Sequence, residues 1–115
     1  MEHSKVYRRI HFLLHLQEAP AAERKTMLMN ISSNQLDAIN IVASKVVSGV
    51  VSPLRRDAQL FRRRRMLLRT LASNDVSVTR KKTLLRRYHS MVPVILRTPY
   101  LIQVILDEIR TARDE

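Results

Sequence analysis

The sequence predicts an all-α protein, a compact bundle of five to six short helices forming one domain over residues 1–115. Three observations point there. Apolar residues recur at three- and four-residue spacing in several separate segments, the period of a helix buried on one side. Capping residues and prolines sit between those segments. One glycine and no tryptophan in 115 residues leave little material for the turns of a β fold.

The first helix is expected over residues 4–18, with Ser4 as N-cap and Val6, Ile10, Leu13, Leu14 and Gln17 on one side. His11 and His15 are four apart, a spacing that can bind a metal. No third ligand is spaced with them and the Glu of a His-Glu-x-x-His motif is missing, so they read as ordinary surface or core-edge histidines. No metal or other cofactor is expected. Pro20 opens a short second helix, about 20–30, with Ala21, Met27, Leu28 and then Ile31 inward.

Residues 34–48 carry the clearest pattern. Leu36, Ile39, Val42, Ala43, Val46, Val47 and Val50 form one wide stripe, while Asp37, Asn40, Ser44, Lys45 and Ser48 face away. Ser32 with Gln35 has capping-box form, with Ser33 as the alternative cap. Gly49, the one glycine, stands where a left-handed C-cap belongs. This helix is expected at the centre of the core.

Ser52-Pro53 marks the start of a fourth helix, about 53–72. At 100° per residue, Leu54, Leu60, Phe61, Leu67, Leu68, Leu71 and Ala72 share one side. Arg55, Arg62 and Arg69 line up at seven-residue spacing, and Arg56 and Arg63 form a second line. Arg64 is the exception, because it projects from the middle of the apolar side. It could snorkel, pair with an acid, or face a partner subunit or ligand.

Ser73-Asn74-Asp75 signals a turn, and Ser77 or Thr79 caps a fifth helix, about 78–91. Leu84, Leu85, Tyr88, Met91 and Val92 form its apolar side, flanked by Lys82 with Arg86 and Arg80 with Arg87. Arg80 and Lys81 near a helix start oppose the helix dipole, which suggests a use other than helix stability. Pro93 is expected to break this helix. Thr98-Pro99 starts the last one, about 99–112. There Leu101, Ile102, Ile105, Leu106 and Ile109 lie on one side, with Tyr100 and Val104 opposite. Such all-round apolarity indicates a buried helix or an interface helix; the interface reading adds Arg64 as a further interface residue and predicts a homo-oligomer. The end turns acidic through Asp107, Glu108, Asp114 and Glu115, which could neutralise part of a basic surface.

The charge is concentrated. Residues 54–87 hold 12 of the Lys and Arg against Asp57 and Asp75, about +10 of a total +11. Leucines threaded through this stretch make it a folded basic face rather than a solvated tail. Such a face attracts polyanions, of which nucleic acid is the commonest. The candidate phosphate contacts are Arg55, Arg62, Arg65, Arg69, Arg80, Lys81, Lys82, Arg86 and Arg87. A net charge of +11 exceeds the roughly 2–8 that suffices to keep a small domain soluble.

No catalytic constellation is visible. Ten acids are present, none spaced usefully with a histidine, and there is no cysteine, glycine-rich phosphate loop or nucleophile elbow. The chain is therefore expected not to be an enzyme. Two Phe and three Tyr make base stacking on single strands a weak expectation. DNA is the favoured partner. A helix-turn-helix across the fourth and fifth helices is an alternative that the long 72–78 connection disfavours. Met1 to Lys5 leads straight into an amphipathic pattern without a secretory signal, so secretion is not expected. Met91 to Leu106 is interrupted by Pro93, Arg97, Pro99 and Gln103, so it is not a spanning helix. Binding of basic helices to a membrane surface is a minor alternative.

Several positions also resemble a known group. They are Ser33-x-Gln35-Leu36-x-Ala38-Ile39, Gly49, Leu54, Met66-Leu67-Leu68-Arg69-x-Leu71-Ala72, Ser77 and Lys81-Lys82-x-Leu84-Leu85. Together they resemble small basic proteins of Polinton-like (Maverick or adintovirus-type) elements and related animal DNA viruses. The resemblance covers roughly residues 24–90. Relatives commonly continue with a glycine-rich apolar segment, where this chain has Tyr88-His89-Ser90-Met91-Val92. What it implies is a virion-interior or genome-associated role, with the nucleus or virion interior as the expected location. The runner-up reading, drawn from the apolar last helix and Arg64, is an assembly module such as an internal capsid protein with other viral proteins as partners.

Overall fold

The central element is α4, Ser33–Val47, an uninterrupted helix of 15 residues. Its start is fixed by a capping box: Gln35 N–H donates to Ser32 Oγ at 3.1 Å, and Ser32 N–H donates to Gln35 Oε1 at 3.0 Å. Its end is fixed by Gly49 at φ +79°, a left-handed conformation that a Cβ would strain. Between them Leu36, Ala38, Ile39, Ile41, Val42 and Ala43 are buried. The inward face is thus wider than the expected stripe at its start, while Val47 and Val50 are exposed.

The computed structural model describes the backbone of residues 2–114 and the side chains of residues 3–113. Among the described residues there are nine helices and no strand. The radius of gyration is 13.7 Å, close to the ~13 Å of a compact chain this long.

The helix count exceeds the expected five to six because two segments break and because residues Met91–Leu96 form a helix of their own, α8. The first becomes α1, Glu2–Arg8, and α2, Ile10–Glu18, parted at Arg9. The break lets α1 pack on α4 and on the last helix, α9 (Tyr100–Asp114), while α2 packs on α8 (Met91–Leu96). Val6, Ile10, Leu13 and Leu16 go inward; Leu14, expected there, is exposed. Next, α3, Ala21–Met29, lies on α7, Val78–Arg87. It buries only Leu28, followed by Ile31.

The second broken segment starts as a 3₁₀ turn, Arg55–Asp57, and continues as α5, Ala58–Arg63, and α6, Arg65–Ala72. Phe61, Leu67, Leu68 and Leu71 are buried, and α6 packs along α4. The start of α7 is capped by Ser77, whose Oγ accepts from Arg80 N–H at 3.2 Å. Pro93 does not end a helix. It sits third in α8, where its missing N–H would have had no intrahelical partner. Met91, Val92, Val94, Ile95 and Leu96 of α8 are all buried.

In α9, Tyr100 and Leu101, expected in an interface between chains, lie with Val104 in this chain's own core. The tyrosine hydroxyl meets His3 Nδ1 at 2.9 Å, and His3 Nε2 meets Asp107 at 3.1 Å, so α9 is tied to α1. The outer side of α9 presents Ile102, Leu106 and Ile109, which are 63%, 52% and 47% exposed, with Ile105 half-buried beside them.

Candidate nucleic-acid interface

Three of the candidate arginines come together. Arg62 at the end of α5 and Arg65 and Arg69 on α6 line an open groove of about 610 Å³ between these helices and α4. Its floor is apolar, from Val46, Val47, Phe61 and Leu68. The geometry follows from the buried leucines. Pinning Leu67, Leu68 and Leu71 against α4 turns Arg65 and Arg69 to the outside.

A second groove, of about 280 Å³, opens on the other side of α6, between it and α7. Arg63, Arg64 and Arg80 line it together with Met66 and Tyr88. The guanidinium groups of Arg64 and Arg87 lie 5.4 and 5.5 Å from the Tyr88 ring centroid, within cation–π range. Arg64 therefore does not project from an apolar helix side. The helix breaks at this residue (φ −104°, ψ 24°), and its exposed side chain turns to Tyr88.

Elsewhere on the basic stretch, Arg55, Arg86 and Arg87 are exposed and Lys82 is half-buried. Arg86 reaches away toward α3, its Nη2 3.5 Å from the Met29 carbonyl oxygen.

Lys81 is a correction. It is 7% exposed, and its stem packs inside beside α4 and the end of α6. Burial pushes its ammonium below the usual lysine range, and the Asp37 carboxylate nearby opposes that shift. The unfavourable charge at the start of α7 thus sits, for Lys81, on a side chain that is largely covered by the protein. Arg80 is the exposed member of the pair.

Asp57 is the feature the sequence hid. It is 4% exposed, and Arg97 Nε donates to its Oδ2 at 2.7 Å while Arg97 Nη2 donates to Oδ1. The fork of Arg97 holds the Asp57 carboxyl below the usual carboxylate range; burial opposes this and the charge of Arg56 adds to it. One of only two acids in the basic stretch is therefore consumed in pinning the 3₁₀ turn to the end of α8. Other ion pairs among the described residues engage His3, Lys5 and His15. None engages Arg62, Arg63, Arg64, Arg65, Arg69 or Arg80, so both grooves keep their full charge among the described residues. The side chains of Asp114 and Glu115, considered as neutralising acids, lie outside the described residues.

His15 bonds Glu23 at 2.7 Å, and no group of three or more metal-ligating side chains occurs among the described residues. No described helix is long and apolar enough to cross a membrane.

The residues missed from sequence are Arg63, Met66 and Tyr88 in the second groove and Val46 and Val47 in the first. Tyr88 carried a usable signal: it is the one tyrosine adjoining the basic stretch, directly after Arg86-Arg87.

Compared with known proteins, the chain matches no protein-family model, no curated protein and no solved structure.

Proposed function

We propose that this protein binds nucleic acid, DNA in preference, through phosphate contacts and without catalysing a reaction, as a genome-associated protein of the nucleus or a virion interior. The observation that carries the reading is the groove lined by Arg62, Arg65 and Arg69, three exposed guanidinium groups without a carboxylate on them among the described residues. Guanidinium forks match phosphate oxygens in geometry and charge. Arg55, Arg80, Lys82, Arg86 and Arg87 extend the positive field around them.

Contact through phosphates makes affinity steep in salt and nearly blind to sequence. With about six phosphates neutralised, affinity falls roughly a thousandfold between about 50 and 200 mM salt. Replacing Arg62 and Arg69 together by Gln weakens binding to all sequences alike and flattens the salt slope by about two. Fluorescence anisotropy across that salt range is the test. Variant affinities equal to the parent's at every salt concentration remove this face as the binding site.

A second reading, an assembly module that forms a homo-oligomer or joins a capsid protein, is supported by Ile102, Leu106 and Ile109, exposed at i, i+4 and i+7 along α9. Light scattering tests it: a monomer at tens of micromolar protein speaks against self-association through this stripe.

A further inference from the structure

We propose that α6 enters the major groove of duplex DNA, with the arginines of its two flanking grooves on phosphates of opposite strands. The inference rests on the nucleic-acid reading above and narrows it to one ligand and one docking pose.

Three observations carry it. The two arginine grooves share no residue. Arg62, Arg65 and Arg69 face the α4 side, while Arg63, Arg64 and Arg80 face the α7 side. A ridge with cations on both flanks fits a ligand with a backbone on each side, which a duplex has and a single strand lacks. On the α6 wall of the second groove stands Met66, 71% exposed, more than any other large apolar side chain among the described residues. An apolar side chain between two rows of cations is misplaced for a phosphate-only surface. It is well placed for a groove floor, where thymine methyl groups accept apolar contacts. Finally, the Tyr88 ring holds Arg64 and Arg87 at 5.4 and 5.5 Å, fixing two mutually repelling cations before any ligand arrives.

Dimensions agree. A helix with its side chains is about 10–12 Å across, and the major groove of B-DNA is about 12 Å wide. The deep, narrow major groove of duplex RNA does not admit such a ridge. The pose also differs from a helix-turn-helix, in which the second helix reads the groove. Here that helix would be α7, whose Lys81 is turned into the protein.

The test uses the full chain in fluorescence anisotropy with a mixed-sequence DNA duplex, its single strand, and an RNA duplex of the same length. Methyl green, which occupies the major groove, and distamycin, which occupies the minor groove, serve as competitors. Expected are the tightest binding to duplex DNA and displacement by methyl green alone. Arg62→Gln with Arg69→Gln, and separately Arg63→Gln with Arg80→Gln, each weaken duplex binding by about tenfold. Circular dichroism of each double variant establishes that its helices are kept. Equal or tighter binding to single strands or duplex RNA overturns the pose. So does displacement by distamycin alone, or full affinity in a folded Arg63/Arg80 variant, and in both cases the broader nucleic-acid reading stands. Absence of binding to all three nucleic acids overturns that broader reading and the pose with it.

Discussion

The α4 helix and the α5–α6 stretch lie against each other, and each spans 15 residues, Ser33–Val47 and Ala58–Ala72. They are built oppositely. Asp37 and Lys45 are the only charged residues in α4, which buries six side chains and runs unbroken between a capping box and a left-handed glycine. The α5–α6 stretch carries Arg62, Arg63, Arg64, Arg65 and Arg69, and it breaks in the middle of the run. Both have an apolar side of leucine-like residues, so hydrophobic patterning alone does not separate them. The difference lies at Arg64. In one continuous helix this residue would fall among Leu60, Phe61, Leu67, Leu68 and Leu71, against α4. Burying an unpaired guanidinium there would cost several kcal/mol. Ending α5 and restarting α6 gives up part of the backbone ladder and moves Arg64 out to the ring of Tyr88. A charged residue at the centre of an apolar helical side is thus a sign of two helices, each with a clean side.

If α4 supplies stability and α5–α6 supplies the binding surface, the two properties separate by mutation. Ile39→Ala, at a fully buried position of α4, is expected to cost about 3 kcal/mol. Its urea midpoint falls, and the DNA affinity of the folded fraction stays within about twofold of the parent. The Arg62→Gln, Arg69→Gln pair does the reverse, changing stability by less than about 0.5 kcal/mol because both side chains are exposed. Equal loss of both properties in both variants would erase the division.

The next effect is where the basic stretch joins the core. Asp57→Asn leaves Arg97 without its partner and is expected to cost about 2 kcal/mol, less than a fully buried pair because the Arg97 side chain is 31% exposed. The sign with pH follows from the lowered folded-state value of Asp57. Its contribution is complete above the unfolded aspartate value of about 3.9 and is lost as pH falls through the lower folded value. Urea midpoints taken from neutral pH into the acid range should fall more steeply for the parent than for Asp57→Asn. Parallel curves would place the acid sensitivity elsewhere.

The helical class and the central place of α4 were legible in the sequence because they rest on local rules. Apolar spacing, Ser32 with Gln35, and Gly49 each act within a few residues; the two caps appear as expected, and of the stripe Leu36, Ile39, Val42 and Ala43 are buried. The seven-residue line expected for Arg55, Arg62 and Arg69 is redrawn by the break at Arg64: Arg62 and Arg69 share a groove with Arg65, and Arg55 lies outside it. What stayed hidden depends on partners distant in the chain. From the sequence Asp57 shows only as one of two acids in the basic stretch, because its partner Arg97 lies 40 residues on. Tyr100 and Leu101 looked like interface residues because α9 is apolar on nearly every side, and periodicity cannot say which side meets its own core. The second groove depends on the approach of α7 to α6, and no spacing rule announces that approach.

The smallest expected effect tests the one basic residue of the stretch that belongs to the core. Lys81 is 7% exposed, and no ion pair holds it among the described residues. Its stem fills space that an apolar side chain of similar length could fill without desolvating a charge. Lys81→Met is therefore expected to stabilise the protein by about 1 kcal/mol at neutral pH. Asp37 does not lose its only cation in this variant, because Lys5 Nζ stands 3.6 Å from it. The pH dependence gives an independent check. The folded-state value of Lys81 is lowered, so the unfolded chain holds this proton more tightly, and the parent gains stability as pH rises toward the unfolded lysine value of about 10.4. Lys81→Met lacks that gain, so the advantage of the variant shrinks on going from neutral to alkaline pH. Its DNA affinity should match the parent's, in contrast to Lys82→Gln on the half-buried neighbour, whose loss weakens binding. A destabilised Lys81→Met variant, or one that binds DNA several-fold more weakly, would return this ammonium to the binding surface and shift the border between core and basic face by one residue.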